Sequence, residues 1–157
     1  RAAAAFYHLA DAMGKDNFDR TLKVFLSEWT FRHPSPWDFM NTCSRVAGED
    51  LSWYFGPWFY ENAYPDLSIG KVETTGAKPS VEIVMNGRIP VPVKIRFTYN
   101  DGTTKEYTSS VRNWRDGNRR IVAEIPDADK LKTIELGDAN IPDAFPKDNS
   151  WHSSVNN

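Results

Sequence analysis

The chain of 157 residues has one cysteine, few histidines, little net charge and no long apolar run. The single cysteine, Cys43, excludes an internal disulfide and leaves the redox compartment open. No apolar stretch approaches the roughly 20 residues that a membrane-spanning helix needs. A net charge of −2 gives no reason to expect nucleic acid or an anionic membrane as partner. We therefore expect neither a nucleic-acid partner nor a transmembrane segment.

Residues that would carry chemistry are equally sparse. The three histidines, His8, His33 and His152, are far apart, and none has a second ligand one helical turn away. Nucleophile elbows and phosphate-binding glycine loops are absent. Cys43 lies on the apolar side of a predicted helix, where an inert buried thiol is expected. We therefore assign no catalytic and no metal-binding residue, and no cofactor, to these residues. A small enzyme would need a pocket that gathers His8 or His33 with carboxylates.

The first part of the chain predicts helices. The first helix covers Ala2–Met13 and stops at Gly14, which suits the left-handed position after a helix. It has no capping residue ahead of it, which indicates a helix cut from a longer one. Asp16 is the predicted N-cap of the second helix, with Asp19 in its first turn. One buried stripe is predicted on that helix, at Phe18, Leu22, Phe25, Leu26 and Trp29.

Strong boundary signals define the third helix. Ser35 is a good N-cap, Pro36 suits the first helical position, and Asp38 completes a pair resembling a capping box. The apolar pattern continues to Gly48, where we expect the helix to end.

A fourth helix follows, capped by Asp50 and continuing towards Tyr60. Gly56-Pro57 interrupts it, and since proline removes a backbone donor we expect a kink or a break there. This part is so rich in aromatic residues that we expect one side of the helical array to need a covering neighbour.

From about Gly70 the periodicity changes to two. Residues 89–99 alternate apolar and polar side chains, which indicates a half-buried strand. Pro90 and Pro92 place its first part at an edge or a strand crossover, and Asn100-Asp101-Gly102 predicts a hairpin turn. Further strands are expected near residues 69–74, 81–85, 104–111, 120–125 and 131–136. The predicted fold class is α+β, with about four helices followed by a small antiparallel β-sandwich of fibronectin or immunoglobulin type.

Three segments are therefore predicted. Residues 1–69 form the helical part, residues 70–138 form the β-sandwich, and residues 139–157 form a polar C-terminal tail. The tail is expected to run over the surface as a strap, anchored by Phe145 and Trp151.

Two motifs stand out in the helical part, Phe31-x-His33-Pro34-x-Pro36-x-Asp38-Phe39 and Gly48-x-Asp50-Leu51-x-Trp53-Tyr54-Phe55-x-x-Trp58-Phe59-Tyr60, and together they resemble a known family. They match the helical C-terminal part of the aminopeptidase N-like (gluzincin) zinc metallopeptidases over roughly the first 65 residues. Residues from Gly70 onward resemble, less specifically, the β-sandwich that follows the catalytic domain in those enzymes. Gly56-Pro57 departs from the family pattern, which usually continues helically there.

The resemblance implies a non-catalytic C-terminal fragment of a zinc-dependent aminopeptidase. The His-Glu-x-x-His zinc helix, its third glutamate ligand and an oxyanion-stabilising tyrosine would all lie upstream. Arg1-Ala2 would match the Lys/Arg-Gly that follows this tyrosine by one residue, and Tyr7 inherits no role. Zinc would belong to the intact parent. The implied partners are the upstream catalytic domain of the same chain and, for the parent, a peptide substrate. If the source is bacterial, a periplasmic or secreted location is compatible with this reading.

One further alternative comes from another class of protein. The chain could be a stand-alone β-sandwich module that binds a protein or a glycan. It would then present an exposed aromatic or basic patch. The basic residues available for such a patch are Arg112, Arg115, Arg119 and Arg120.

Overall fold

The computed structural model describes residues 2–153 and divides the chain into two compact units, Arg1–Asn62 and Ala63–Asn157. The first unit is helical and the second contains two antiparallel sheets, so the predicted α+β class with a small β-sandwich is confirmed. Arg1, and with it the proposed Arg1-Ala2 match, lies outside the described residues, as do residues 154–157. Within residues 2–153 no helix has the length and apolar character to cross a membrane.

The division between the units falls earlier than the predicted boundary at residue 69. The first strand begins at Leu67, and the segment before it already pairs with the sandwich. The carbonyl oxygen of Tyr64 accepts hydrogen bonds from the amides of Arg88 and Ile89, at 3.1 and 3.2 Å. Because these bonds tie residues 64–66 to the turn after the second strand, this segment belongs to the β unit.

The helical unit contains four α-helices and one π-helix. The junction of the first two differs from the prediction, since Gly14 (φ +85°) and not Asp16 occupies the N-cap position. The Phe18 amide donates to the Gly14 carbonyl at 2.9 Å, so helical bonding starts directly after the glycine and Asp16 lies in the first turn. The elements are α1 (Ala2–Met13), α2 (Lys15–Trp29), α3 (Pro36–Ala47), α4 (Ser52–Phe55) and the π-helix (Gly56–Tyr60).

The predicted cap of α3 is confirmed. The Asp38 carboxylate accepts hydrogen bonds from the Ser35 amide at 2.7 Å and from the Ser35 hydroxyl at 2.6 Å. These bonds from Ser35 lower the pKa of Asp38. Gly48 ends the helix in the left-handed conformation, with φ +72°.

The expected disturbance at Gly56-Pro57 takes the form of a widened helix. Asp50 accepts a hydrogen bond from the Ser52 amide at 2.8 Å and so caps α4, although Leu51 holds the formal N-cap position. Beyond Phe55 the helix becomes a π-helix, in which the Glu61 amide donates to the Gly56 carbonyl at 3.1 Å. Proline lacks an amide donor and clashes with the preceding turn, and the wider turn relieves both conflicts.

Tyr54 occupies the centre of the helical core. Its side chain is fully buried, and its hydroxyl donates to the Ala5 carbonyl at 2.6 Å. This bond joins α4 to α1. Burial raises the pKa of Tyr54, so the phenol stays protonated and remains a donor. The other buried apolar residues of this unit are Ala5, Leu9, Ala12, Met13, Met40, Cys43, Val46, Leu51, Phe55 and Trp58.

Replacing Tyr54 with phenylalanine will weaken the helical unit. The substitution keeps the ring but removes the hydroxyl, so we expect the free energy of unfolding to fall by about 1 kcal/mol. Chemical denaturation followed by near-ultraviolet circular dichroism measures the change. Tyr7→Phe is the matched control, because the Tyr7 side chain is exposed and loses no core contact. Equal midpoints for the two variants would contradict the assigned role of the Tyr54 hydroxyl.

The stripe predicted to be buried on α2 is not buried. Thr21 is the buried residue of this helix, whereas Phe18, Phe25 and Trp29 are half-buried and Leu22 and Leu26 are exposed. The helical spacing of the apolar residues is correct, but no other part of the helical unit covers them fully.

The second unit is a sandwich of a three-stranded and a four-stranded antiparallel sheet. The strand orders are β1-β2-β5 and β4-β3-β6-β7. Side chains facing inward from both sheets are buried in alternation, as along β2 and β3. The strands are β1 (Leu67–Glu73), β2 (Ser80–Met85), β3 (Val93–Tyr99), β4 (Thr104–Ser109), β5 (Arg120–Glu124), β6 (Leu131–Leu136) and β7 (Ser150–His152).

The two prolines mark a crossover between the sheets, as predicted. β3 begins only at Val93, so residues 89–92 lie outside the ladders. Ile89 and Val91 are nevertheless buried in the core of the sandwich. Since Pro90 and Pro92 cannot donate to a ladder, the alternating pattern here produced burial without strand pairing. The hairpin turn after β3 is also present, but only Gly102 in it has a positive φ, +82°.

The C-terminal tail differs from the predicted strap. Residues 150–152 form β7, which pairs antiparallel with β6 through Trp151 opposite Ile134. Phe145 is exposed and therefore does not anchor the tail in the core. Trp151 is half-buried and does hold it to the sheet. Residues 150–152 are thus part of the sandwich.

Candidate functional site

The histidines occupy three different environments. His8 is buried, with the ring of Tyr7 at 5.0 Å and that of Trp58 at 6.5 Å. His33 is exposed in the loop before α3, and His152 lies on β7 of the other unit. Across residues 2–153, no group of three or more His, Cys, Asp or Glu side chains is arranged to hold a metal ion. The metal-free assignment for this chain remains a prediction, to be tested by metal analysis.

Cys43 is buried on α3, as the sequence predicted. Burial raises the pKa of its thiol to about 12. At neutral pH the thiol is therefore protonated and shielded from solvent, and it is a poor nucleophile.

An open cavity of about 720 Å³ lies beside β3 and β6 in the sandwich. Two ion pairs lie along it: Lys94 is 3.3 Å from Asp138, and Arg96 is 3.9 Å from Glu135; Asp143 also lines it. The described residues that line it include no histidine and no cysteine. The cavity therefore offers paired charges but no combination of nucleophile and base.

Asp66 is a buried carboxylate that the sequence did not single out. Its side chain is only 4% exposed, and its Oδ1 atom has no hydrogen-bond partner among the described residues. Burial and the nearby negative charges of Asp143 and Asp148 raise its pKa. Asp66 directly follows Pro65 in a loop, and no local pattern there distinguishes a buried carboxylate from a solvated one.

Three of the four arginines considered as a basic patch make contacts within the sandwich. Arg119 donates to the Asn86 carbonyl at 2.8 Å, and Arg120 pairs with Glu82 at 2.9 Å. Arg115 lies 3.4 Å from Asp116. These contacts favour a solvated, internally paired surface over a site for an acidic partner.

The most extensive feature of the helical unit is a row of aromatic rings that we call the aromatic row. Its members are Trp29, Phe25, Phe39, Phe6 and Phe59, each touching the next. The successive centroid distances are 6.3, 5.2, 5.6 and 6.1 Å. Not one of the five side chains is buried; Phe6 is 45% exposed. The row thus presents a continuous apolar surface drawn from α1, α2, α3 and the π-helix.

A second exposed aromatic pair lies on the same unit. Trp37 and Tyr60 stack with their ring centroids 4.4 Å apart and their planes inclined by 9°. The Tyr60 hydroxyl contacts the Met40 sulfur at 3.3 Å. Both rings are about half-exposed. Together with the aromatic row, this pair concentrates exposed aromatic surface on the helical unit.

Comparisons with known proteins show a fold relationship. No protein-family model and no curated protein matches the chain. Among solved structures, the chain is similar to Legionella pneumophila aminopeptidase A in complex with aspartic acid, with a TM-score of 0.61 and 18% sequence identity. The similarity covers 85% of this chain and 16% of that chain. At this level of identity the likeness establishes a shared fold, and the present chain spans only a small part of the length of the protein it matches.

Proposed function

We propose that the chain is the non-catalytic C-terminal part of an aminopeptidase-like zinc metallopeptidase. In this proposal the helical unit closes the catalytic domain, and the β-sandwich is a structural buttress. The observation that carries it is the similarity in fold to an aminopeptidase over 85% of the chain. The residue motifs around Pro36 and Asp50 support the same family independently, because they rest on sequence spacing and not on backbone shape.

The helical unit forms the caps that these motifs require. Ser35 and Asp38 close the start of α3, Gly48 ends it, and Asp50 caps α4. The spacing of the motif residues therefore corresponds to the start of α3, the end of α3 and the start of α4. Those boundaries position the aromatic residues that follow, including Tyr54 in the core.

Within residues 2–153, the potential metal ligands are not arranged to form a zinc site. His8 is packed among aromatic rings, and the other two histidines lie in an exposed loop and on a strand of the other unit. In the proposed parent, zinc would be held by residues outside this chain and would activate a water for peptide hydrolysis. The contribution of the present residues is to form the wall and support of that domain.

The test compares two polypeptides: residues 1–157, and the whole protein encoded by the same reading frame. We expect the whole protein to carry about one zinc per chain and to hydrolyse aminoacyl anilides. We expect residues 1–157 to show neither property. Zinc content is measured by plasma mass spectrometry and activity by release of the anilide chromophore.

The coding sequence upstream provides an independent check. A His-Glu-x-x-His motif followed by a glutamate is expected there. Stoichiometric zinc or peptidase activity in residues 1–157 alone would contradict the proposal, and so would an upstream sequence without these ligands.

The alternative function is a stand-alone protein- or glycan-binding β-sandwich. The observation in its favour is an exposed pair on the sandwich, Tyr64 and Phe145, whose ring centroids are 5.9 Å apart. Their planes meet at 81°, so the pair does not form one flat platform for a sugar ring. Specific binding of a glycan by residues 1–157, abolished by Phe145→Ala, would favour this alternative.

A further inference from the structure

The aromatic row continues into further exposed apolar residues on α2. Leu22 and Leu26 lie on the same stripe as Phe25 and Trp29, one turn apart, and Leu26 is 64% exposed. Soluble monomers rarely leave a contiguous apolar surface of this kind in water unless it binds something. We call the row together with Leu22 and Leu26 the apolar face.

Backbone strain occurs next to one end of this face. Phe31 follows Trp29 by two residues and has a φ of +62°, a conformation that residues other than glycine adopt at a cost. Its side chain is fully exposed. The Phe31 side chain therefore projects into solvent and does not pack against the helices. Such a side chain gains from burial only if another surface covers it.

Four charged residues of α2 and α3 form ion pairs within the helical unit. Lys15 lies 2.7 Å from Asp19 on α2, and Arg45 of α3 lies 2.6 Å from Glu28 of α2. These four charged side chains therefore have an oppositely charged neighbour in the helical unit itself. The side chains that form the apolar face carry no charge, so its occupant is expected to present apolar surface to it.

We infer that the apolar face binds the part of the same polypeptide that lies outside residues 1–157, through an apolar surface of that part. The inference rests on the proposed function. The inference adds to the proposed function by identifying the surface through which the helical unit joins the rest of the protein. The occupant follows from the fold comparison, in which the matching fold makes up 16% of a longer polypeptide. Covering half-exposed Phe6, Phe59 and Leu26 would provide the hydrophobic contribution to that joint.

The test measures solvent access at two consecutive positions of α2, one on the apolar face and one outside it. Leu26→Cys places a thiol on the apolar face. Ser27→Cys is the matched control, since Ser27 is exposed on the side of α2 away from the stripe and its replacement is nearly isosteric. The native Cys43 is buried and contributes little labelling. Each variant is made in residues 1–157 and in the whole protein, and a maleimide reagent is used to follow the rate of alkylation.

In residues 1–157 we expect both thiols to react at similar rates. In the whole protein we expect the alkylation rate of Leu26→Cys to fall by about tenfold, because labelling then requires local opening. The rate of Ser27→Cys should be the same in both polypeptides. Equal labelling of both positions in the whole protein would overturn the inference. Protection of Leu26→Cys in residues 1–157 that increases with concentration would also overturn it, in favour of a second copy.

The labelling result is separable from the proposed function. Zinc content and peptidase activity of the unsubstituted whole protein can be normal even if the apolar face remains open to the reagent. In that case the inference fails while the assignment to the metallopeptidases stands. If the whole protein has neither zinc nor activity, the proposed function fails whatever the labelling shows.

Discussion

Replacing Gly87 with alanine is expected to lower the free energy of unfolding of the β-sandwich by about 3 kcal/mol. Gly87 lies in the turn after β2, where its amide donates to the Asp66 carbonyl at 3.0 Å. A Cβ atom at this position would lie 2.3 Å from the Tyr64 carbonyl oxygen and 2.7 Å from the Asp66 nitrogen. Both neighbours are backbone atoms, so the segment entering β1 would have to move away and give up hydrogen bonds to the turn.

Gly70→Ala is the matched control for this prediction. A Cβ atom at Gly70 would lie 2.7 Å from the Glu82 carboxylate and 3.1 Å from Val84 Cγ2, both of them side-chain atoms, and the carboxylate is the flexible end of its side chain. Thermal unfolding combined with peptide-resolved hydrogen exchange will show which unit is affected. The expected result is a large loss of protection at residues 64–89 in the Gly87 variant and a small change in the Gly70 variant. Similar melting of the two variants would show that the close approach at Gly87 is not limiting.

Asp66→Asn is expected to stabilise the sandwich at neutral pH by about 1 to 2 kcal/mol. The native side chain is buried, has an oxygen without a hydrogen-bond partner, and is close to Asp143 and Asp148. Asparagine has nearly the same shape and removes a buried negative charge. Its amide group can also donate to an acidic neighbour, which an ionised carboxylate cannot do.

The same substitution will change the pH dependence of stability. Burial and the two acidic neighbours raise the pKa of Asp66 in the folded state above the unfolded value of about 4. Between these two values the folded protein binds more protons than the unfolded protein, so stability falls as pH rises through this window. Above the folded pKa the penalty is complete. Below the unfolded pKa both states are protonated and the penalty vanishes.

Denaturation midpoints measured from pH 3 to pH 8 test this sign. The native chain should lose this contribution as pH rises, and the Asp66→Asn variant should lack it. Asp116→Asn is the control, because Asp116 is highly exposed and should give a profile like that of the native chain. If Asp66→Asn is no more stable than the native chain at pH 7, the carboxylate has partners in solution that the structure does not show.

Local sequence signals predicted the helical boundaries well. α1 ends at the expected residue, Met13, and the Ser35–Asp38 cap and Gly48 termination are present as predicted. These features depend on residues within one or two turns of each other, so a single sequence contains the information. The start of α2 was wrong because Gly14, and not the acidic residue after it, made the decisive backbone turn.

Features that depend on distant parts of the chain were not predictable in the same way. The apolar stripe on α2 was identified correctly, but its spacing shows which side is apolar and not what covers it. β7 has only three residues and therefore no periodic pattern of its own. The environment of Asp66 arises from Asp143 and Asp148, nearly 80 residues later in the chain. The sequence thus predicted which residues are apolar on the apolar face, but only the structure showed that they are exposed and adjacent to one another.

The short strand β7 has a consequence for how the sandwich avoids aggregation. Without it, β6 would be an outer strand with alternating buried apolar residues and a free row of backbone donors and acceptors. β7 occupies that row with only three residues, of which Ser150 and His152 are exposed. A strand this short offers few backbone groups to a neighbouring molecule, so the sheet ends in an edge that is difficult to extend. By this argument, β7 disfavours edge-to-edge association of two sandwiches through β6.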